Sequence, residues 1–238
     1  MKNKILITFF LIFIPAVQAE VAEFILPDIE EYQLDNGMRV LISSNYESPT
    51  INVSIQINAG NLDETEEKPG LAASTFYQLN DATIKYPKKN QLENKLFSLG
   101  DNKGNFNNFQ IYDDYAWISH VCLKEDTRDC IEIFAEVLQN PTFPFFNKFL
   151  QKLTLMWAPK SVFSSVGSAT WKHAKYMLNG QLHYFHPLKS DFYKRKEVLN
   201  WYNLYIRPEN TTIMISGDIN YIYIKKLIDQ FFTEWNVK

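Results

Sequence analysis

Beyond residue 20 the sequence lacks any apolar run long enough to cross a bilayer, which excludes a membrane-spanning helix from the rest of the chain. Basic charge is not in excess either. The 24 Lys and Arg are scattered among 27 Asp and Glu, for a net charge of -3, so no stripe or cluster makes an electrostatic case for nucleic acid. No DNA or RNA partner is expected. No glycine-rich phosphate loop joins a strand to a helix, which argues against a parallel, doubly wound nucleotide-binding fold. Repeats and low-complexity segments are also missing. Cysteine is scarce, with Cys122 and Cys130 the two in the chain. In an oxidising compartment they could pair and close a short loop, while two buried free thiols are the alternative that spacing leaves open. A cysteine nucleophile is disfavoured because no histidine is placed as its partner in the nearby sequence.

What the amino terminus does contain is a secretory signal. Lys2 and Lys4 precede an apolar run from Ile5 to Ile14, followed by Pro15 and by small residues at Val17 and Ala19. Cleavage is expected after Ala19, leaving residues 20–238 as one module in a bacterial periplasm or outside the cell, with no membrane association after cleavage. An uncleaved anchor is the alternative.

The body of the chain alternates between two periodicities. "EYQLDNGMRVLISSN" is two short alternating runs about Asn36 and Gly37, the chemistry of a tight hairpin. In "INVSIQINAG", Ile51, Val53, Ile55 and Ile57 share one face of a half-buried strand. Gly70 opens a helix to about Asn80, and "NQLENKLFSLG" forms another, ended by Gly100. "GNFNNFQIYDD" and "YAWISHVCL" read as the central strands of a sheet. "TRDCIEIFAEVLQNP" carries Cys130, Ile133, Phe134, Val137 and Leu138 at helical spacing, with Thr127 as cap and Pro141 as stop. Helices follow in "FPFFNKFLQKLTLMW", "SVGSATWKHAKYML" and "KSDFYKRKEVLNWYNLYI", then a strand in "TTIMISGD" and a last amphipathic helix in "NYIYIKKLIDQFFTEW". This order predicts an α+β two-layer sandwich, helices on one side of a mostly antiparallel sheet.

Several segments, in order and spacing, carry a family likeness: "LDNGMRVLI", "VSIQINAGNLDE" running into "KPGLAASTF", "FNNFQIYDDYAW", "AEVLQNPTF", and "HPLKS" with "LYIRPENTTIMISGDIN". The likeness runs from Glu31 to Asn236, and over that span the chain resembles the amino-terminal module of the pitrilysin and insulinase peptidases, which include mitochondrial processing peptidase. In that family the helix after Gly-Leu-Ala carries His-x-x-Glu-His. The two imidazoles, one turn apart, bind zinc, and the Glu is general base on the metal-bound water.

Here those positions hold Ala73, Phe76 and Tyr77, none a zinc ligand of the usual nitrogen, sulfur or carboxylate kind. The resemblance places the family's third ligand, a Glu, within "FLQKLTLMWAPK", at Ala158, with Gln151 where a supporting Glu often lies. That segment has no acidic residue. Ligands and base are lost together, so zinc is expected to be absent and the chain to be a non-enzyme. Phe76 and Tyr77 are expected to fill the former metal cavity as core aromatics; the alternative is that they line a pocket for an extended peptide.

Other candidates are weaker. His183 and His186 form a His-x-x-His pair, but Pro187 follows where the family has a His-Pro turn, and no carboxylate accompanies them. His120 and His173 read as ordinary histidines. Asn107, Asn108 and Phe109 match a family strand whose edge can pair with peptide, so β-augmentation could outlast catalysis. The resemblance further implies that this is one module of a protein in which paired modules clasp a peptide. A partner is therefore expected: an active peptidase subunit, a second module, or another copy of the chain. The reading is a secreted, catalytically dead homologue acting as a binding or regulatory subunit. The alternatives are a zinc endopeptidase with a relocated site at His183 and His186, or a degenerate fragment.

Overall fold

The computed structural model describes residues 28–65, 67–68, 70–100, 106, 108–144 and 193–236. Over these residues, alternation along the strands builds one mixed sheet of six strands, with five α-helices against it. The strands are β1 (Glu30–Gln33), β2 (Arg39–Ser44), β3 (Thr50–Ile57), β4 (Asn108–Ile111), β5 (Ala116–Leu123) and β6 (Thr211–Gly217). The helices are α1 (Leu71–Gln78), α2 (Lys89–Ser98), α3 (Thr127–Gln139), α4 (Arg195–Tyr205) and α5 (Tyr221–Phe232). None of these helices is long and apolar enough to cross a membrane.

The period of two decides which way the sheet faces. On β3 it sends Ile51, Val53, Ile55 and Ile57 into the core, where register aligns them with Cys122, His120, Ile118 and Ala116 of β5. Val40 and Ile42 of β2 join the same layer beside Ile213 and Ile215 of β6. Asn52, Ser54 and Gln56 point to the other face. The helices cover the apolar side, as the α+β sandwich requires, with α3 packed on β3 and β5 and α1 on β4. Ile131, Phe134, Val137 and Leu138 of α3 are fully buried there.

Strand order is β1-β2-β6-β3-β5-β4. All pairs are antiparallel except β2 with β6, where Val40 meets Ile213 and Ile42 meets Ile215. This corrects the expectation that β4 and β5 are central. β6, arriving from far along the chain, inserts between β2 and β3 and takes the middle, which leaves β4 at the rim. The first hairpin forms as expected, and its Asn36 donates through Nδ2 to the carbonyl of Phe232, 2.7 Å away, tying the turn to the end of α5.

Two further points are local. Thr127 does not cap α3; a 3₁₀ turn over Lys124–Asp126 leads into the helix, and the Thr127 hydroxyl donates back to the Lys124 carbonyl at 2.5 Å. At α5 the cap is Asn220, whose Oδ1 accepts from the Tyr223 amide at 3.0 Å. The signal segment, the helices expected over 143–157 and 165–178, and His173, His183 and His186 lie wholly or almost wholly outside the described residues.

Candidate functional site

The helix that carries Ala73, Phe76 and Tyr77 is held at its start by a carboxylate. Gly70 precedes α1 in the left-handed conformation, with φ of 85°, which costs glycine little. Glu64 reaches across the loop, and its two oxygens accept from the Gly70 amide at 2.6 Å and the Ala72 amide at 2.7 Å. These are amides that a helix start otherwise leaves without partners. Burial pushes the Glu64 carboxyl up to about 6, and the backbone N–H groups of Gly70, Ala72 and Ala73 pull against that rise.

The same loop is fastened to the sheet. Asn61 and Leu62 donate their amides to the carbonyls of Tyr112 and Asp113, at 3.0 and 2.7 Å, in the turn between β4 and β5. At Gly60 a Cβ would come within 2.4 Å of the Asp113 carbonyl, so the close approach needs glycine there. Nothing in the sequence periodicity singles out Glu64. The signal that could have found it is an acidic residue just ahead of a helix opened by glycine.

Around α1 the rings of Phe76 and Tyr77 meet an aromatic stack. Phe76 is fully buried, and its ring lies 4.5 Å from that of Phe109 on β4, with planes 22° apart. Phe106 continues the stack at 5.8 Å from Phe109 and contacts Phe134 of α3 at 4.9 Å. His120, also fully buried, sets its ring against the edge of Phe106 as a packed core histidine. Such ring pairs add roughly 0.5–1.5 kcal/mol each beyond the area they bury.

The expectation for Phe76 and Tyr77 divides between them. Phe76 is core. Tyr77 is 49% exposed, its ring 6.0 Å from Phe109, because one residue further along the helix turns it about 100° from Phe76 toward solvent. Ala73 is half-buried one turn before Tyr77. Asn108 opposes Ser119 at the start of the rim strand, while Asn107, Gln151 and Ala158 lie outside the described residues. Cys122 and Cys130 stand apart from this group, joined in a disulfide between the end of β5 and the first turn of α3.

Zinc does not fit these residues. A methyl group, a phenyl ring and a half-exposed phenol stand where two imidazoles and a carboxylate would be needed, and the Phe76 ring occupies the interior position. Among the described residues no group of three or more His, Cys, Asp or Glu is placed to hold a metal ion.

A helix-backed six-stranded sheet with a glycine-opened helix lying beside its rim strand makes this an α+β module of two layers. Residues 39–176 match the insulinase family, peptidase family M16, and the chain belongs to it. It is 23% identical over 233 residues to the probable zinc protease PqqL of Haemophilus influenzae, covering 88% of this chain and 24% of that protein. It is 26% identical over 119 residues to the beta subunit of the mitochondrial-processing peptidase of Dictyostelium discoideum, covering 50% of this chain and 24% of that one. The chain thus spans about a quarter of the length of these curated relatives.

Among solved structures, the first half of the periplasmic protease PqqL from Escherichia coli superposes with a TM-score of 0.74 at 18% identity, over 90% of this chain and 50% of that one. A mutant of the ferredoxin protease FusC in complex with Arabidopsis ferredoxin gives 0.77 at 14% identity, over 90% of this chain and 24% of that one. These likenesses bear on the fold.

Proposed function

We propose that the chain is a non-catalytic, periplasmic or secreted member of the insulinase family that works as a binding or regulatory module for a peptidase partner or an extended peptide. The observation that carries this reading is the buried ring of Phe76, stacked on Phe109 at the position where the family has its general base. Zinc lowers the pKa of bound water from about 15.7 to ~7, and peptide hydrolysis at neutral pH by the family's route depends on that shift. With Ala73 and Tyr77 at the ligand positions, this helix cannot supply it.

Two further observations support the reading. β4 is a rim strand, so its outward backbone groups can take up an extended chain, with Asn108 and Phe109 on that strand and the exposed ring of Tyr77 beside it. The amino-terminal signal pattern and the Cys122–Cys130 disulfide both favour an oxidising compartment.

The test is elemental analysis of the purified mature chain together with a peptidase assay. Well under one zinc per chain and no chelator-sensitive cleavage are expected. One tightly held zinc per chain, or cleavage abolished by a chelator, overturns the reading and returns the His183 and His186 alternative. Recovery of the tagged chain from its own periplasm is expected to bring a peptidase subunit with it.

A further inference from the structure

Where the ends of α3, α4 and α5 meet, a cleft of about 240 Å³ lies open, lined by the amides of Gln139, Asn140, Asn203 and Asn236 beside Glu234. These amides offer donors and acceptors alike and select no guest. The rim beside α1 is more particular. In the β4–β5 hairpin the Tyr112 amide donates to the Tyr115 carbonyl at 2.8 Å, across the turn at Asp113 and Asp114. Antiparallel pairs alternate between those that exchange both backbone bonds and those that exchange neither. Counting back from Tyr112, Gln110 with Trp117 and Asn108 with Ser119 are bonded pairs, whereas Ile111 opposite Ala116 and Phe109 opposite Ile118 are not. The N–H and C=O groups of Phe109 and Ile111 therefore turn away from β5, toward the rim at which the sheet ends among the described residues.

The side chains of the same two residues lie on the helix face of the sheet, and both are part-buried. Going round α1 from the fully buried Ala72, Phe76 comes first and lies on Phe109. Ala73 follows about 60° further on and Tyr77 about 100° further on. Phe76 already rests on the last strand, so Ala73 and Tyr77 stand past it, over the space that an added strand would enter. There the half-exposed ring of Tyr77 stays 6.0 Å from that of Phe109, and Ala73 presents only a methyl group.

We infer that this rim selects its ligand by side-chain pattern: it takes an extended peptide with a large apolar residue, then a polar residue, then an aromatic one. The inference rests on the reading of β4 as a peptide-binding rim and names the peptide. In an antiparallel added strand, the residues opposite Phe109 and Ile111 exchange both backbone bonds with them, at a Cα separation of about 5.5 Å, and share their face of the sheet. The ligand residue opposite Phe109 then lies between that ring and Tyr77, where an aromatic side chain gains ring contacts and Ala73 leaves it room. The residue opposite Ile111 extends the apolar cover of the rim. Between them, a side chain on the other face meets the exposed amide of Gln110, which suits a hydroxyl. An antiparallel chain meets Ile111 before Phe109, so the aromatic residue is the later of the two.

The test uses the full mature chain and three blocked peptides: Thr-Val-Thr-Phe-Thr, Thr-Ala-Thr-Ala-Thr, and Val-Phe-Thr-Thr-Thr, which keeps the composition of the first and breaks its alternation. Fluorescence anisotropy gives affinity, and NMR hydrogen exchange follows the backbone amides of β4. The first peptide is expected to saturate and to slow exchange of the Phe109 and Ile111 amides at least about tenfold, with Asn108 and Gln110 little changed. The other two are expected to bind at least about tenfold more weakly. Tyr77→Ala is expected to bring the first peptide down to the level of the alanine peptide, and Tyr77→Phe to retain it. Equal binding of the three peptides, or an unchanged affinity of the first for Tyr77→Ala, overturns the inference and leaves the peptide-binding rim standing. Failure of every peptide to slow the Phe109 and Ile111 amides overturns both. Protection of these two amides in the chain alone, rising with its concentration, overturns the peptide as occupant and gives the rim to a second copy.

Discussion

The neighbourhood of α1 and the meeting point of the three helix ends solve opposite problems. At α1 the space between the helix and the rim strand is filled, with Phe76, Phe109, Phe106 and Phe134 in ring contact. Around Glu234 the polar groups outnumber the rings, and the space between them stays open. Sealed interiors contribute stability, while open polar rims contribute specificity.

That contrast can be broken by substitution. Phe76→Ala removes a fully buried ring whose neighbours cannot close in freely, and it is expected to cost about 3–5 kcal/mol, read as a lower urea midpoint at unchanged slope. A cost below about 1 kcal/mol would mean that the stack is loose and the cavity survives.

The next effect is a dependence on pH. The Glu64 carboxyl titrates at about 6 in the fold against an ordinary value of 4.5, so the folded chain holds that proton more tightly than the unfolded one. Its contribution is fully present below the unfolded value and is lost as pH rises through the folded one, amounting to about 2 kcal/mol. Urea midpoints measured between pH 4 and pH 7 are expected to show this fall, and Glu64→Gln is expected to flatten it.

The smallest effect sharpens the comparison. Tyr77→Ala and Glu234→Gln alter exposed side chains and are each expected to change stability by no more than about 0.5 kcal/mol. Calorimetric melting checks this. A larger loss for Tyr77→Ala would place its ring in the sealed region with Phe76 and remove it from the surface beside β4.

Local patterns foretold local structure well. The turn at Asn36 and Gly37, the buried side of β3 and the apolar face of α3 were all readable, because period and turn chemistry act over a few residues. The absence of zinc-binding side chains at Ala73, Phe76 and Tyr77 is a matter of residue type and needs no structure to be seen. What could not be read was anything made by distant segments meeting. The rim position of β4 depends on where β6 inserts, the ring that Phe76 stacks on comes from β4, and the open cleft needs three helix ends that are remote in sequence. Glu64 fell between these cases: its partners are near in the chain, but only the folded loop brings its oxygens to two amides at once.

The placement of β6 also constrains how the molecule comes together. The β1–β2 ribbon and the β3–β5–β4 ribbon share no strand pairing, and β6 is the keystone between them. Emerging amino terminus first, the chain must hold two unfinished half-sheets apart until Thr211–Gly217 has been made. During that interval, the flanks that will later grip the keystone remain bare to any passing strand.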